Sequence, residues 1–356
     1  MRHTITRQRA PDAKRSSHSP NIARAARSSA ASCRAVSSRS FATLVLDAIE
    51  QIEAAFKSLA TEAVAMPPIL RLDIPEHDGE MDVKTAYLPR FPSFAIKVSP
   101  GFFSNPSLGL PSLNGLMLVL SARTGLTEAV LLDNGYLTAV RTAAAGAVAA
   151  RWLARKDAKR VVIIGAGEQA RLQLKAFCLV RDIEHVTVWA RDSKETQQFA
   201  RDCEGLPCDI ADSVNRALRH ADIAITTTPS REPLIHARDL HPGLHITAMG
   251  SDAEHKNEIA LDVFAKVRYV CDRLQQVRVL GELHHAIDAG VIVADATFAE
   301  LGEVIAQKTP GRTNDDEVTV CDLTGTGAQD TAIATLAVQR VRAAQARTIF
   351  HNDVTS

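Results

Sequence analysis

Residues 160–170 read Arg160-Val161-Val162-Ile163-Ile164-Gly165-Ala166-Gly167-Glu168-Gln169-Ala170, a β-branched apolar run that ends in a glycine-rich turn and opens onto a helical pattern. Val161 to Ile164 suits a strand buried on both faces of a parallel sheet. Gly165 can make the tight turn, Gly167 lets a pyrophosphate approach the backbone, and Ala170 supplies the small residue that close helix-strand packing needs. The helix beginning at Glu168 then turns its N-terminal amides toward the anion. A merely structural turn is the alternative, and the flanks argue against it. Ala170, Leu172, Leu174, Phe177 and Cys178 stud the following segment, and a second strand, Val186 to Trp189, comes after a short polar loop. The spacing predicts a β-α-β dinucleotide-binding unit inside an α/β protein.

A chain of 356 residues has room for two domains and a sizeable core. Its 41 basic and 41 acidic side chains cancel, so net charge draws it to neither nucleic acid nor an anionic membrane, and neither is expected as a partner. Apolar windows such as Leu116 to Leu120 fall far short of the roughly 20 residues a membrane span needs, so a soluble, cytoplasmic protein is expected. Six cysteines stand without a Cys-x-x-Cys pair or zinc-like spacing. They read as reduced, mostly buried thiols, and no metal is expected. Residues 1–40 are Arg- and Ser-rich with the single acid Asp12. That leader resembles an organelle transit peptide, which would imply import; a disordered tail and a wrongly assigned start are the alternatives.

From residue 41 the pattern is globular. Val45, Ile49, Ile52, Ala55, Phe56 and Leu59 share one face of a first helix. The runs 69–73, 94–98, 116–120 and 129–132 suggest a mainly antiparallel sheet, and Asp133-Asn134-Gly135 a turn. An Ala- and Val-rich helix from Thr138 to Leu153 leads into the dinucleotide unit. Strands at 223–226, 245–249, 267–271 and 318–321 follow, and a last helix from Asp330 to Gln345 is expected to pack back on the N-terminal half. The expected division is 41–140 for a substrate and dimerisation domain, 141–320 for a Rossmann domain, and 321–350 for a returning segment.

Arg191 and Asp192 follow the second strand of the β-α-β unit. Arg191 favours the extra phosphate of NADP, while Asp192 keeps NAD open as a ribose partner; plain solvated charges are the bland reading. Arg71, Lys97 and Arg141 each sit within apolar sequence. They either converge on the carboxylates of a small anion or alternate outward to solvent. Asp252 follows the strand at 245–249, where a doubly wound sheet places its ligand, and can serve as a general acid/base or as a helix N-cap. His284 and His285 have no third ligand at a useful spacing, and Gly-x-Ser-x-Gly is absent.

Together, Val140 to Ala145, Gly165 to Ala170, Ala248 to Asp252, Phe298 to Glu303 and Asp322 to Gly327 resemble the ornithine cyclodeaminase/mu-crystallin family over residues 42 to 345. The resemblance implies a central Rossmann domain, an N-terminal α+β domain that the last helix rejoins, and a homodimer. It implies Arg71, Lys97 and Arg141 as the substrate-carboxylate cluster and Asp252 as the catalytic carboxylate, with Lys97 sharing the proton handling. It also implies cofactor contacts at Thr142, at Gly165, Gly167, Glu168, Gln169 and Ala170, and at Thr324 and Gly325 beside the nicotinamide. The Thr85-Ala86-Tyr87-Leu88-Pro89 stretch lacks the acid that accompanies an ornithine substrate. The runs 66–75, 99–103 and 249–259 are similar to the ectoine-utilisation and iminosuccinate reductase branch. The implied activity is an NAD(P)H-dependent imine reductase forming an L-amino acid, with iminosuccinate to L-aspartate as the expected case. An ammonia-releasing cyclodeaminase with catalytic NAD and a non-catalytic NADPH-binding protein are the alternatives.

Overall fold

In the computed structural model, residues 39–345 apart from position 204 are described, so the leader expected over 1–40 falls outside the described residues except for positions 39 and 40, which open the first helix. Helix α1 (Arg39–Thr61) buries the stripe its sequence announces, with Val45, Ile49, Ile52, Ala55, Phe56 and Leu59 all in the core. An antiparallel sheet follows in the order of its strands: β1 (Leu70–Ile74), β2 (Gly79–Ala86), β3 (Ser93–Phe102), β4 (Leu116–Ser121) and β5 (Thr127–Leu131). Strand β2 is absent from the sequence expectation. Its register pairs Lys84 with Lys97 and Asp82 with Ser99, which sets those side chains on one face of the sheet.

At the predicted turn, Asn134 and Gly135 take positive φ, and the Asp133 carboxylate accepts from Leu137 N at 2.6 Å. Helix α2 (Tyr136–Leu153) begins there and runs nearly all buried into the second sheet. That region comprises β6 (Arg160–Ile164), α3 (Glu168–Val180), β7 (His185–Trp189), α4 (Ser193–Asp202), β8 (Cys208–Ile210), α5 (Val214–Leu218), β9 (Ile223–Thr226) and β10 (His245–Ala248). It continues through β11 (Arg268–Cys271), α6 (Leu274–Val277), α7 (Gly281–Asp288), β12 (Ala299–Glu300), α8 (Leu301–Ile305) and β13 (Thr319–Asp322). All neighbours in this sheet are parallel, in the order β12-β11-β13-β10-β9-β6-β7-β8. The chain winds outward one way from β6 and then the other way from β9. A ligand crevice therefore opens beyond the carboxyl ends of β6 and β9.

The last helix, α9 (Gly327–Ala343), starts one turn before the expected Asp330, because Gln329 Oε1 accepts from Thr326 N at 2.7 Å and fixes an earlier first turn. It returns across the inner face of the first sheet. There Ala95 N donates to Thr331 Oγ1 at 3.0 Å and Thr331 Oγ1 donates to Ala86 O at 2.8 Å, which pins α9 over β2 and β3. The core between α1, α2, α9 and the first sheet is continuous, holding Phe56, Leu88, Met117, Val148 and Ile333. Among the described residues no helix is long and apolar enough to cross a membrane. Cys203, Cys208, Cys271 and Cys321 are free thiols. Cys178, half-buried on α3, is disulfide-bonded, which corrects the reduced reading for that residue.

Candidate active site

Beyond β6, β7 and β9 lies a cleft of about 710 Å³ lined by Gly165, Gly167, Trp189, Arg191, Thr228 and Ser230, among others. Gly165 has φ 115°, and a Cβ there would stand 2.5 Å from Thr227 Oγ1, so the turn accepts only glycine. A Cβ on Gly167 would meet nothing within 4 Å, because it would point into the open cleft. Ala170 is fully buried against the sheet. Glu168 opens α3. The side chain of Gln169 donates to Ala139 O at 3.2 Å while its Oε1 is buried without a partner. Thr142 donates to Thr138 O, and Gln173 Nε2 donates to Thr142 O at 3.1 Å, which ties α2 to the first turns of α3. A glycine turn, a helix N-terminus and an orphaned amide oxygen fit a bound dinucleotide.

At the end of β7 the two charges divide. Asp192 caps α4, its Oδ1 accepting from Lys194 N at 2.8 Å and Glu195 N at 3.2 Å. Arg191 is exposed and lines the cleft, and it takes part in no ion pair or hydrogen bond among the described residues.

Where the two sheets meet under α9, three cations gather around one carboxylate. Lys97 Nζ lies 3.1 Å from Asp330 Oδ2, and Arg141 Nε donates to Asp330 Oδ1 at 3.0 Å. Lys84 Nζ donates to Gly325 O at 3.2 Å. All four side chains are buried. Burial opposes the charge on Asp330, yet Lys97, Arg141 and Lys84 hold it below the usual carboxylate range. Burial drives Lys97 down to about 7 against the pull of Asp330, with Arg141 and Lys84 adding to the fall. Gly325, at φ 80°, lets the Arg141 guanidinium lie against the backbone, since a Cβ would stand 2.6 Å from its Nη1.

Two loops close the site, and buried carboxyls brace both. Asp272 accepts from Thr324 N, Gly325 N and Thr324 Oγ1 at 2.8 to 3.0 Å, so Thr324 is buried in its own anchor. Gln276 Nε2 donates to Thr324 Oγ1 at 2.7 Å and Gly325 O at 3.0 Å. On the other side, Glu258 accepts from Thr226 Oγ1, Thr228 N, Thr228 Oγ1 and Gly250 N at 2.6 to 2.8 Å, fixing the loop that carries Asp252. Glu282 in turn accepts from Glu258 N and Ile259 N at 3.0 Å. Asp322 accepts from Tyr269 OH at 2.5 Å and Glu282 N at 2.7 Å. Burial raises all four of these carboxyls, Asp322 to about 7. They serve as fixed acceptors of backbone donors.

Asp252 sits in an irregular loop, with no helix after it to cap. It bonds Lys256 Nζ at 2.5 Å, and its side chain is half exposed. Desolvation opposes its charge, while Lys256 and Lys84 keep it below the ordinary range. Lys84 belongs to the first sheet, so its pull on Asp252 comes from a separate element of the fold.

The structure thus brings Lys97 and Arg141 together and sets Asp252 within the electrostatic reach of Lys84. Arg71 stands apart at the rim, on the same sheet face, donating to Asp73 at 2.9 Å and Glu80 at 2.6 Å. Sequence reasoning missed Lys84 and Asp330. For Asp330 one signal existed, a carboxylate in the first turns of an Ala-rich helix right after Thr324-Gly325-Thr326-Gly327. For Lys84 none did without the β2 to β3 register. Among the described residues no group of three or more metal-binding side chains occurs. His284 and His285 stack on each other and meet Gly281 O and Lys256 O, each at 2.7 Å.

Residues 29–345 match the model of a family described as the ornithine cyclodeaminase/mu-crystallin family. A putative dehydrogenase of Rhizobium meliloti is 57% identical over 317 residues, 88% of this chain and 96% of its own. Among solved structures, an archaeal alanine dehydrogenase dimer with bound NAD aligns with a TM-score of 0.82 at 32% identity, covering 90% of this chain and 97% of its own. The iminosuccinate reductase of Paracoccus denitrificans in complex with NAD+ aligns with a TM-score of 0.78 at 32% identity, covering 85% and 93%.

Proposed function

The chain belongs to the ornithine cyclodeaminase/mu-crystallin family, and on that premise we propose that it is an NAD(P)H-dependent reductase of a small imino acid, with iminosuccinate, reduced to L-aspartate, as its substrate. One observation carries the reading. Lys84, Lys97 and Arg141 are buried with Asp330, whose oxygens pair with Lys97 and Arg141 while Lys84 meets only Gly325 O, so the pocket holds more positive charge than it neutralises. Buried cations in excess call for an anion from outside, and a dianion answers them best. The absence of a carboxylate at Thr85-Ala86-Tyr87-Leu88-Pro89 removes the partner an ornithine side chain would need.

A dinucleotide held by the Gly165–Gly167 turn and the N-terminus of α3 would supply the hydride for the imine carbon. The chain's own residues do the rest. Arg141, whose terminal nitrogens are turned past Gly325, and Lys97 hold the carboxylate beside the imine carbon. Asp330 presets both cations, so orientation is built before the substrate arrives. Reduction also needs one proton on nitrogen, and Lys97, near 7, is poised to give it. Asp252 is kept ionised and so suits the cationic imine nitrogen before hydride transfer. Arg71 at the rim is engaged by Asp73 and Glu80 and stays outside the buried cluster.

Arg191 is free while Asp192 spends an oxygen on its helix cap, an arrangement that favours the extra phosphate of NADPH. NADH is the alternative cofactor, since both structural relatives carry NAD. We also propose a homodimer formed by the outer face of the first sheet. Leu70, Val83, Val98 and Leu116 align across four strands there, as do Ile96, Leu118 and Val130 across three, with Leu70 and Val130 more than half exposed. An apolar face of that extent is rare on a monomer. Leu118→Asp is expected to turn the dimer into a monomer in sedimentation, and an unchanged mass would dismiss this interface.

To test the activity, iminosuccinate is generated in situ from 3-hydroxyaspartate with a dehydratase and the absorbance of reduced cofactor is followed. Consumption that needs both the imine and this chain supports the reading. No consumption with NADH or NADPH refutes it.

A further inference from the structure

We propose that Lys84 is a specificity residue that binds a second carboxylate of the substrate, so that this site selects dicarboxylic over monocarboxylic imino acids. The inference rests on the imine-reductase reading above and deepens it. Three buried cations share the pocket, and they are not equivalent. Lys97 and Arg141 each take one oxygen of Asp330. Lys84, only 7% exposed, reaches no carboxylate within ion-pair range among the described residues. Its partner is a neutral acceptor, Gly325 O, which already receives Gln276 Nε2 at 3.0 Å. An ammonium held in a protein interior by one shared carbonyl lacks the anion that normally accompanies it.

The register places that unmet charge. Lys84 lies directly opposite Lys97 on neighbouring antiparallel strands and on the same face. Such opposed residues have Cβ atoms roughly 4.5–5.5 Å apart. Two ammonium groups projecting side by side from that base match the two ends of a four-carbon diacid. With one carboxylate on Lys97 and Arg141, the other falls to Lys84. Lys84 also acts electrostatically on Asp252, Asp330 and Lys97. Arg71, two register positions away, is already engaged by Asp73 and Glu80 and does not compete for that carboxylate.

The test compares wild type, Lys84→Met and Lys84→Gln on iminosuccinate and on the monocarboxylic imine formed from pyruvate and ammonia. Lys84→Gln is included because its amide can keep the bond to Gly325 O, and melting curves establish that each variant folds. The expected result is a fall of about 10- to 100-fold in kcat/KM for the dicarboxylic imine, mostly in KM, as for loss of one charged hydrogen bond. The monocarboxylic imine should change less than about threefold. An unchanged ratio between the two substrates in a folded variant, or an equal loss on both, overturns the proposal and leaves Lys84 a structural role. If wild type reduces neither imine, the broader reading has failed instead.

Discussion

Asp330 is the keystone of the cationic pocket, and replacing it with Asn removes its charge with little change of shape. Two costs follow, and they separate by pH. Arg141 loses a buried charged partner at 3.0 Å. A hydrogen bond between charged groups contributes about 1.5–3 kcal/mol, and that share does not titrate. Lys97 behaves differently, because its folded-state value of about 7 is already depressed from 10.5 and Asp330 is what pulls it upward. In the variant it titrates lower still. Above about pH 7 both proteins hold Lys97 neutral and differ only in the Arg141 share. Below that point wild type takes up the proton and the variant does not, so the gap widens by about 1.4 kcal/mol per pH unit until the variant's own value is reached. The expected loss is therefore about 2 kcal/mol near pH 8 and about 3–4 kcal/mol near pH 6. Urea unfolding at those two pH values, followed by tryptophan fluorescence, measures it. A loss below about 1 kcal/mol at both, or one that shrinks as pH falls, would refute the coupling between Asp330 and Lys97.

Three further outcomes follow from the same geometry. Gly167→Val should fold normally and lose cofactor affinity by about 100-fold or more, whereas Gly165→Ala, at φ 115° and 2.5 Å from Thr227 Oγ1, should lose about 1–3 kcal/mol of stability; calorimetry and cofactor titration on both variants distinguish the two. If protonated Lys97 supplies the proton, the single-turnover rate should fall as pH rises through about 7, and Lys97→Gln should flatten that limb of the profile. Arg191→Ala should raise KM for NADPH by about tenfold and leave NADH nearly untouched, so equal effects on both cofactors would dismiss the phosphate contact.

Much of the architecture was written locally. The stripe on α1, the β-branched run of β6 and the span of α3 each depend on nearest neighbours, and each stands where its pattern puts it. Strand β2 was illegible for a physical reason. Met81, Val83 and Thr85 alternate with Glu80, Asp82 and Lys84, but the charged side faces α9 and the cleft while the other faces outward, the reverse of an ordinary half-buried strand. Missing β2 also hid Lys84, since only register reveals that it lies beside Lys97. Asp330 escaped notice because its meaning depends on α9 returning across β3, a contact between residues more than two hundred positions apart. The braces Asp272, Glu258 and Glu282 were invisible for a similar reason: their partners are backbone amides of other loops, which carry no sequence signature.

The central claim is that hydride moves from a bound nicotinamide to an imine carbon held by the Lys97 and Arg141 cluster, with net reduction. Its most direct test is stoichiometry. The enzyme is given iminosuccinate and a limiting amount of reduced cofactor, and oxidised cofactor, L-aspartate and ammonia are counted at completion. One L-aspartate for each cofactor oxidised is the predicted result. Ammonia released with the cofactor pool unchanged, or oxidised cofactor without L-aspartate, would contradict it.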